Sequence, residues 1–380
     1  MTMKKFLTII VLFWSIASTQ AQETTIWQKA QFILTQTPNI DTTRIYQPKT
    51  GFYLGVFTTG QKAGFDVDAN FDIGLDGTRS INGISSYRLS ENPCKKIGLE
   101  AGYGKLNLGY GIEVGHRSAS KKRTLAFNIL GQSWGVHMKY YKISNPFNIA
   151  LTIGNEGDEN YLHNDYHSDQ LASMRSFTLD GYFVFNNKRF AFPAAYKKSL
   201  VQRRTAGSWM LTARYMQGDL INSPEASISS YNLLDCFSTM QASIGGGYSA
   251  NFVLWHKDPN GTHDKGLRNL TLNLTAMPVL TLFNYLKTTE YEYDENGEYC
   301  GDKVAKTLCY PMPNFIGSAA ASLTMGKFYF TAQFSYNRFY FRSSDALNAS
   351  HLNHLEYLDK LDYSGTFHDW TLKGLLVYSF

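Results

Sequence analysis

The sequence predicts an all-β chain closed into a transmembrane, antiparallel, up-and-down β-barrel of about 12 strands, within a range of roughly 10 to 14. Three observations predict it. Apolar and polar residues alternate with a period of two along most of the chain. The start reads as an export signal, and no later run approaches the roughly 18 apolar residues of a spanning helix. The end reads as the closing strand of an outer-membrane barrel.

Composition agrees. Of 380 residues, 15% are aromatic and only 18% charged, against roughly 25% charged in soluble domains. So many rings exclude a disordered chain. With 4 cysteines the chain is no disulfide-dense miniprotein. The net charge of +5 is too small and too scattered along the sequence to suggest a nucleic-acid partner.

Residues 1–21 are expected to be a signal peptide. Lys4 and Lys5 supply the charged start, 6–17 the apolar stretch, and Thr19-Gln20-Ala21 the small residues before a cut. Twelve apolar residues are too few for an anchor. Residues 22–50 would form a periplasmic N-terminal arm or partial plug, and 51–380 the barrel.

Along the barrel, Phe65, Val67, Ala69 and Phe71 alternate with Asp66, Asp68 and Asn70. Leu106, Leu108, Tyr110 and Ile112 alternate with Asn107, Gly109, Gly111 and Glu113. Trp134, Val136, Met138 and Tyr140 alternate with Gly135, His137, Lys139 and Tyr141. The same holds for Phe177–Phe185, Trp209–Met216, Asn269–Thr275 and Phe328–Tyr336. Strand side chains point alternately to opposite faces, so each run has a lipid-facing and a lumen-facing set. Many runs exceed the 5–6 residues usual in a soluble sandwich and match the span of a tilted membrane strand. Candidate strands lie at 51–59, 64–72, 79–89, 97–104, 105–114, 123–131, 134–142, 174–186, 206–217, 239–255, 267–285, 313–324, 327–342 and 368–380. The polar segments 153–172, 187–205, 218–237, 257–266, 287–311 and 343–366 are expected to be loops. In the last strand Leu372, Leu376, Tyr378 and Phe380 share one face and Lys373 takes the other. Leu376, Tyr378 and the terminal Phe380 resemble the assembly signal of outer-membrane barrels.

The lumen-facing set is expected to include Asp66, Asp68, Glu100, Glu113, His137, Lys139, Asp180, Arg214 and Lys373. Mixed signs point to salt bridges across the interior, either lining a pore or filling a narrow barrel. The loop Asn187–Thr205 carries Lys188, Arg189, Lys197, Lys198, Arg203 and Arg204 and no acid. It could meet lipopolysaccharide phosphates, fold inward to set anion preference, tie to lumen carboxylates, or lie solvated. His116 and Ser118 have the His-x-Ser spacing of outer-membrane lipid deacylases, but no carboxylate follows to orient the His, so no catalytic residue is assigned. His163 and His167, and His351 and His354, lack a helix to align them, and the acidic run Glu290–Glu298 lacks calcium-loop spacing; neither metal nor cofactor is expected. Cys300 and Cys309, in one loop of an exported chain, could form a disulfide; Cys94 and Cys236 are too distant in sequence to judge.

Within Gly181–Arg214 the pattern Phe-Asn-x-Lys-Arg-Phe (185–190), Pro-Ala-Ala (193–195), Gln-Arg-Arg (202–204) and Ala-Gly-Ser (206–208) resembles a Bacteroidota family known only as a domain of unknown function, number four-four-two-one. Stretches 105–114 and 125–143 are similar to it too. The resemblance covers nearly the whole mature chain and implies an outer-membrane barrel, without an activity or a site.

The expectation is therefore a non-enzymatic protein of the outer membrane, reached through signal-directed export. It would serve as a passive small-solute channel or as a surface structural or binding protein. Its partners would be membrane lipid and lipopolysaccharide, and the barrel-assembly machinery during biogenesis. A lipid-directed hydrolase and a soluble exported β-sandwich are the alternatives.

Overall fold

A computed structural model describes residues 39–48, 51–75, 79–91, 94–114, 121–144, 147–153, 162–168, 172–222, 236–258, 266–293, 299–342 and 358–380. The signal segment, His116, Ser118, His351 and His354 lie outside the described residues.

The first strand, β1 (Ile45–Tyr46), stands apart from the wall. Segments 51–59 and 64–72 are one strand, β2 (Phe52–Leu75), because nothing in Gly60-Gln61-Lys62-Ala63 interrupts extended backbone. β3 (Arg79–Glu91) and β4 (Cys94–Tyr103) both run antiparallel to β2, with Ser90 opposite Gly64 and Cys94 opposite Gln61. They are successive parts of one line, so the fourteen expected segments reduce to twelve wall strands.

The wall continues through β5 (Leu106–Glu113), β6 (Lys121–Leu130) and β7 (Trp134–Ser144). β8 (Phe147–Ile153) and β9 (Leu162–Ser168) precede β10 (Ala172–Val184). After the short β11 (Val201–Gln202) come β12 (Ala206–Asn222), β13 (Cys236–Lys257) and β14 (Arg268–Tyr293). β15 (Tyr299–Leu308), β16 (Met312–Met325), β17 (Phe328–Arg342) and β18 (Leu358–Ser379) complete the order. The closed circuit is β2-β4-β5-β6-β7-β10-β12-β13-β14-β16-β17-β18, and β18 returns to β2, from Leu358 opposite Ile73 to Ser379 opposite Tyr53. Closure leaves no open edge in this circuit. Two stacked open sheets, the soluble alternative, are not what the chain forms.

Gly104-Lys105 and Gly326-Lys327 make two-residue turns at one end. Gly104 and Gly326 sit at φ 55° and 58°, a region glycine enters without a Cβ penalty. Phe380 lies at this end too, its amide donating to the Phe52 carbonyl at 3.1 Å. Apart from 185–205, which joins β10 to β12, and the link from β13 to β14, the longer connections are at the opposite end. There β8 pairs with β3 above the shorter β5–β6 hairpin, and β9 and β15 extend the wall through segments expected to be loops. β8 was missing from the expected strands altogether.

Outward-facing side chains are large, apolar and bare. Leu99 is 69% exposed, Trp209 67% and Leu254 64%. So much continuous apolar surface suits acyl chains, not water. Leu372, Leu376, Tyr378 and Phe380 belong to this belt, as the closing pattern required.

Two expected lumen residues do not face inward. β2 pairs with β18 in unbroken register between Tyr53 and Asp72, so Asp66 and Asp68 keep the outward parity of Leu54 and Val56. Asp66 lies 3.8 Å from His368 and Asp68 accepts from Ser86 at 2.6 Å. Alternation alone has no absolute sign. On β2 the outer face changes from Leu54 and Val56 to Lys62, Asp66 and Asp68, where the strand leaves the apolar belt.

The expected Cys300–Cys309 disulfide does not form. Cys300 lies in β15 and Cys309 just past its end, so nine steps of extended chain put their Cα atoms about 30 Å apart. A bridge needs about 7 Å or less. Cys309 is a buried free thiol.

Candidate functional site

The basic segment between β10 and β12 turns into the barrel from the short-turn end and occupies the lumen there. Asn186 starts the turn: its amide donates to Ser208 Oγ at 2.8 Å and its side chain to the Gly207 carbonyl at 2.9 Å. Phe190 is fully buried. A single 3-10 turn, Phe192–Ala195, follows with Pro193 in its first turn, where a missing N–H costs nothing. β11 then pairs with β1, bringing in the described part of the N-terminal arm. Ile45 packs on Ala191, Ala194 and Leu200.

The polar inner face of the wall answers the plug's backbone. Asn251 donates to the Ala191 carbonyl at 2.8 Å, Thr331 to Ala195 at 2.9 Å, and Gln333 to Tyr196 at 3.2 Å. Asn269 donates to the Gln202 carbonyl at 2.9 Å, and the Tyr196 hydroxyl to Asn273 at 2.9 Å. Asn251, Asn273 and Thr331 have no solvent exposure. A buried carbonyl without a donor costs about 1–3 kcal/mol, which is why Asn, Thr and Gln stand on the inner face of β13, β14 and β17. Periodicity marked Asn269, Thr271, Asn273 and Thr275 as inward but could not show that a loop meets them.

The six basic residues divide. Lys197 and Lys198 are buried, while Lys188, Arg189 and Arg204 are exposed at the short-turn end. Arg203 is held by Asp258 at 2.6 Å and stacks 5.1 Å from the Tyr46 ring. Lys197 Nζ donates to the Leu106 carbonyl at 2.7 Å and lies 5.4 Å from the Tyr53 ring. Burial pulls its pKa down to about 7, against a smaller upward pull from Glu100. In place of a surface loop meeting lipopolysaccharide, the segment is a plug rooted at the end carrying the tight turns, and of the expectations for it the inward fold is the one the chain adopts.

Above the plug is a cavity of about 320 Å³, and Glu100, His137, Lys139, Asp180, Arg214 and Lys373 all line it. Glu100 accepts from Lys373 at 2.5 Å and from Asn107. Arg214 on β12 pairs with Asp180 on the adjacent β10, and His137 Nδ1 is 3.4 Å from the same carboxylate. The guanidinium also donates at 2.8 Å to Asn337 on β17, which donates at 3.0 Å to Asp369 on β18. β12 and β17 are separated by β13, β14 and β16 in the wall, so Arg214 crosses the lumen. Asn337 and Asp369 were not among the expected residues; they sit at inward parity across from each other. Glu113 keeps inward register opposite Lys96 at the top of β5, outside the cavity lining. His163 and His167 lie on β9, not in a loop.

A carboxylate-and-cation crossbar of this kind fastens walls together and narrows the passage. Among the described residues no group of three or more His, Cys, Asp or Glu is arranged to hold a metal.

Among solved structures, the chain is similar to the outer-membrane protease OmpT of Escherichia coli, at 11% identity and a TM-score of 0.42, covering 91% of this chain and 100% of that one. It is also similar to the β domain of the Bordetella autotransporter BrkA, at 12% identity and a TM-score of 0.32, covering 87% and 99%. No curated protein matches the chain. The profile of a domain of unknown function, DUF4421, matches residues 39–353, a span holding the plug and most of the wall, and the chain belongs to that family.

Proposed function

We propose that the protein is a closed outer-membrane barrel with a structural or binding role, and that it is not a passive channel. One observation carries this reading: the lumen is filled by residues 190–202, whose carbonyls are answered by side chains of β13, β14 and β17. A loop resting by chance in a pore would not find matched donors at full burial. The Arg214–Asn337 crossbar obstructs the lumen at a second level. On this reading the chain is exported by its N-terminal signal, the short-turn end faces the periplasm and the longer connections face outward, as is general for such barrels. The reading includes no catalytic step.

Planar-bilayer recording tests it. The full chain is expected to be silent, while replacement of 190–202 by a short Gly-Ser turn, combined with Arg214→Ala, gives steady single-channel steps. Steady steps from the unaltered chain would overturn the reading.

A further inference from the structure

Three carboxylates line the cavity above the plug, and the fold gives a cation to two of them. Glu100 accepts from Lys373 at 2.5 Å, and Asp180 is held by Arg214. The third, Asp369, is 8% exposed. Its partner is neutral: the Asn337 side chain donates to Oδ1 at 3.0 Å. Two further cations line the cavity and are engaged elsewhere. Lys96 Nζ donates to Gln61 at 3.0 Å and Thr124 at 2.7 Å, and Lys139 lies 5.7 Å from the Tyr141 ring centroid. Among the described residues no Lys, Arg or His is within ion-pair distance of Asp369. A buried carboxylate without a counter-charge is destabilising, and Oδ2 is open to receive one.

Its neighbours are unmet too. Thr371 follows Asp369 by two positions on the same inward face and lies opposite Gln61 in register. Gln61 is 1% exposed. Its Oε1 accepts from the Lys96 ammonium, which fixes which way round the amide stands. The Gln61 Nε2 then has no partner, and neither has Thr371 Oγ1. Buried polar groups are nearly always paired, so a donor, a hydroxyl and a carboxylate left open side by side call for a ligand. Phe367, two positions before Asp369 on the same face, also lines the cavity. An aromatic ring beside a carboxylate favours an ammonium. The His137 side chain, in the same lining, is 39% exposed, so solvent reaches the chamber. At about 30 Å³ per water, the volume has room for roughly ten heavy atoms.

The geometry points to a ligand site at Asp369 for a small organic ammonium with an acceptor oxygen near its nitrogen, the chemistry of an amino alcohol or an amino sugar. The ammonium donates to the open carboxylate oxygen. The ligand oxygen accepts from Gln61 Nε2 and exchanges a hydrogen bond with the Thr371 hydroxyl. A neutral polyol would leave the charge of Asp369 unanswered, and an anion would be repelled by it. This names a ligand class for the binding role proposed above and rests on the lumen being closed by the plug.

The test is isothermal titration of the full chain in uncharged detergent micelles at pH 7, with glucosamine and ethanolamine as probes and glucose as the uncharged counterpart. Wild type is expected to bind at least one of the amines, roughly tenfold more tightly than glucose; which amine is preferred tells amino sugar from amino alcohol. Asp369→Asn keeps an acceptor for Asn337 but removes the charge, and is expected to lower amine affinity roughly tenfold. Thr371→Val removes the unmet hydroxyl, and is expected to lower amine affinity about threefold without lowering the stability of the free barrel. No binding of either amine, glucose binding as tightly as the amines, or amine binding unchanged in Asp369→Asn overturns the proposal. Should Asp369→Asn fail to fold, as heat-modifiable gel migration would show, the glucose comparison and Thr371→Val still decide. Bilayer recordings of the same preparations test the closed lumen separately. Steady steps overturn that reading whatever the amines do, while silence with no amine bound overturns this one alone.

Discussion

At Lys197 the plug buries an amine among Tyr53, the Leu106 carbonyl and the nearby Glu100. Its pKa falls to about 7 in the fold from an ordinary 10.5 because burial disfavours the ammonium. The unfolded chain therefore holds the proton more tightly than the folded one between pH 7 and 10.5. Stability must rise with pH across that window, and the penalty is fully present below pH 7. Urea unfolding at pH 7 and pH 9 is expected to show a higher midpoint at pH 9. Lys197→Met is expected to flatten that difference; an unchanged difference would show that Lys197 is not its source. The sequence marked Lys197 as one of six like charges in a loop. Nothing in its immediate neighbours distinguished it from exposed Lys188, because burial here is decided by β5 and β2, far away in the chain.

Among elements, the wall was legible and the inward turn of residues 185–205 was not. Wall strands announce themselves by local alternation, since bilayer and lumen impose opposite demands on successive side chains. Sign and continuity are less local. Asp66 and Asp68 were assigned inward because their neighbours are apolar, yet β2 keeps its phase and those neighbours fall at lumen parity above the belt. Segments 51–59 and 64–72 were expected as two strands where the chain forms one. The plug is irregular, hence loop-like in sequence, and only the Asn, Thr and Gln donors on distant strands show where it goes. The plug also depends on one small residue of the wall. An added Cβ at Gly135 would lie 2.4 Å from the Tyr182 ring, and that ring packs edge-on against Phe192 at 4.8 Å. Gly135→Ala is expected to destabilise the barrel by about 1–3 kcal/mol and to make 190–202 more open to protease. Equal protease resistance would mean that the ring can shift without disturbing the plug.

For the whole molecule, the belt and the closed circuit make a direct prediction about solvent. Trp209 and Trp134 are exposed on the outer face. In nanodiscs with brominated acyl chains, tryptophan fluorescence is expected to be strongly quenched, and Trp209→Phe to remove a large part of the quenchable signal. Quenching by aqueous iodide instead would place those rings in water and contradict the membrane reading. Charge also distributes at this scale. The net +5 appeared scattered along the chain, but folding brings Lys188, Arg189, Arg204, Lys257, Arg268 and Lys327 to one end.

The plug sits between β10 and β12, near the middle of the chain, yet its carbonyls are met from β13, β14 and β17. During synthesis the residues that receive it are therefore made later than it is. A barrel halted after β12 would carry a stopper with nowhere to seat, and its hydrogen-bonding groups would stay wet. Seating becomes favourable only as the last strands join, so the stopper serves as a built-in seal on completed assembly, and truncation from the C-terminus should unseat it before the early hairpins are lost.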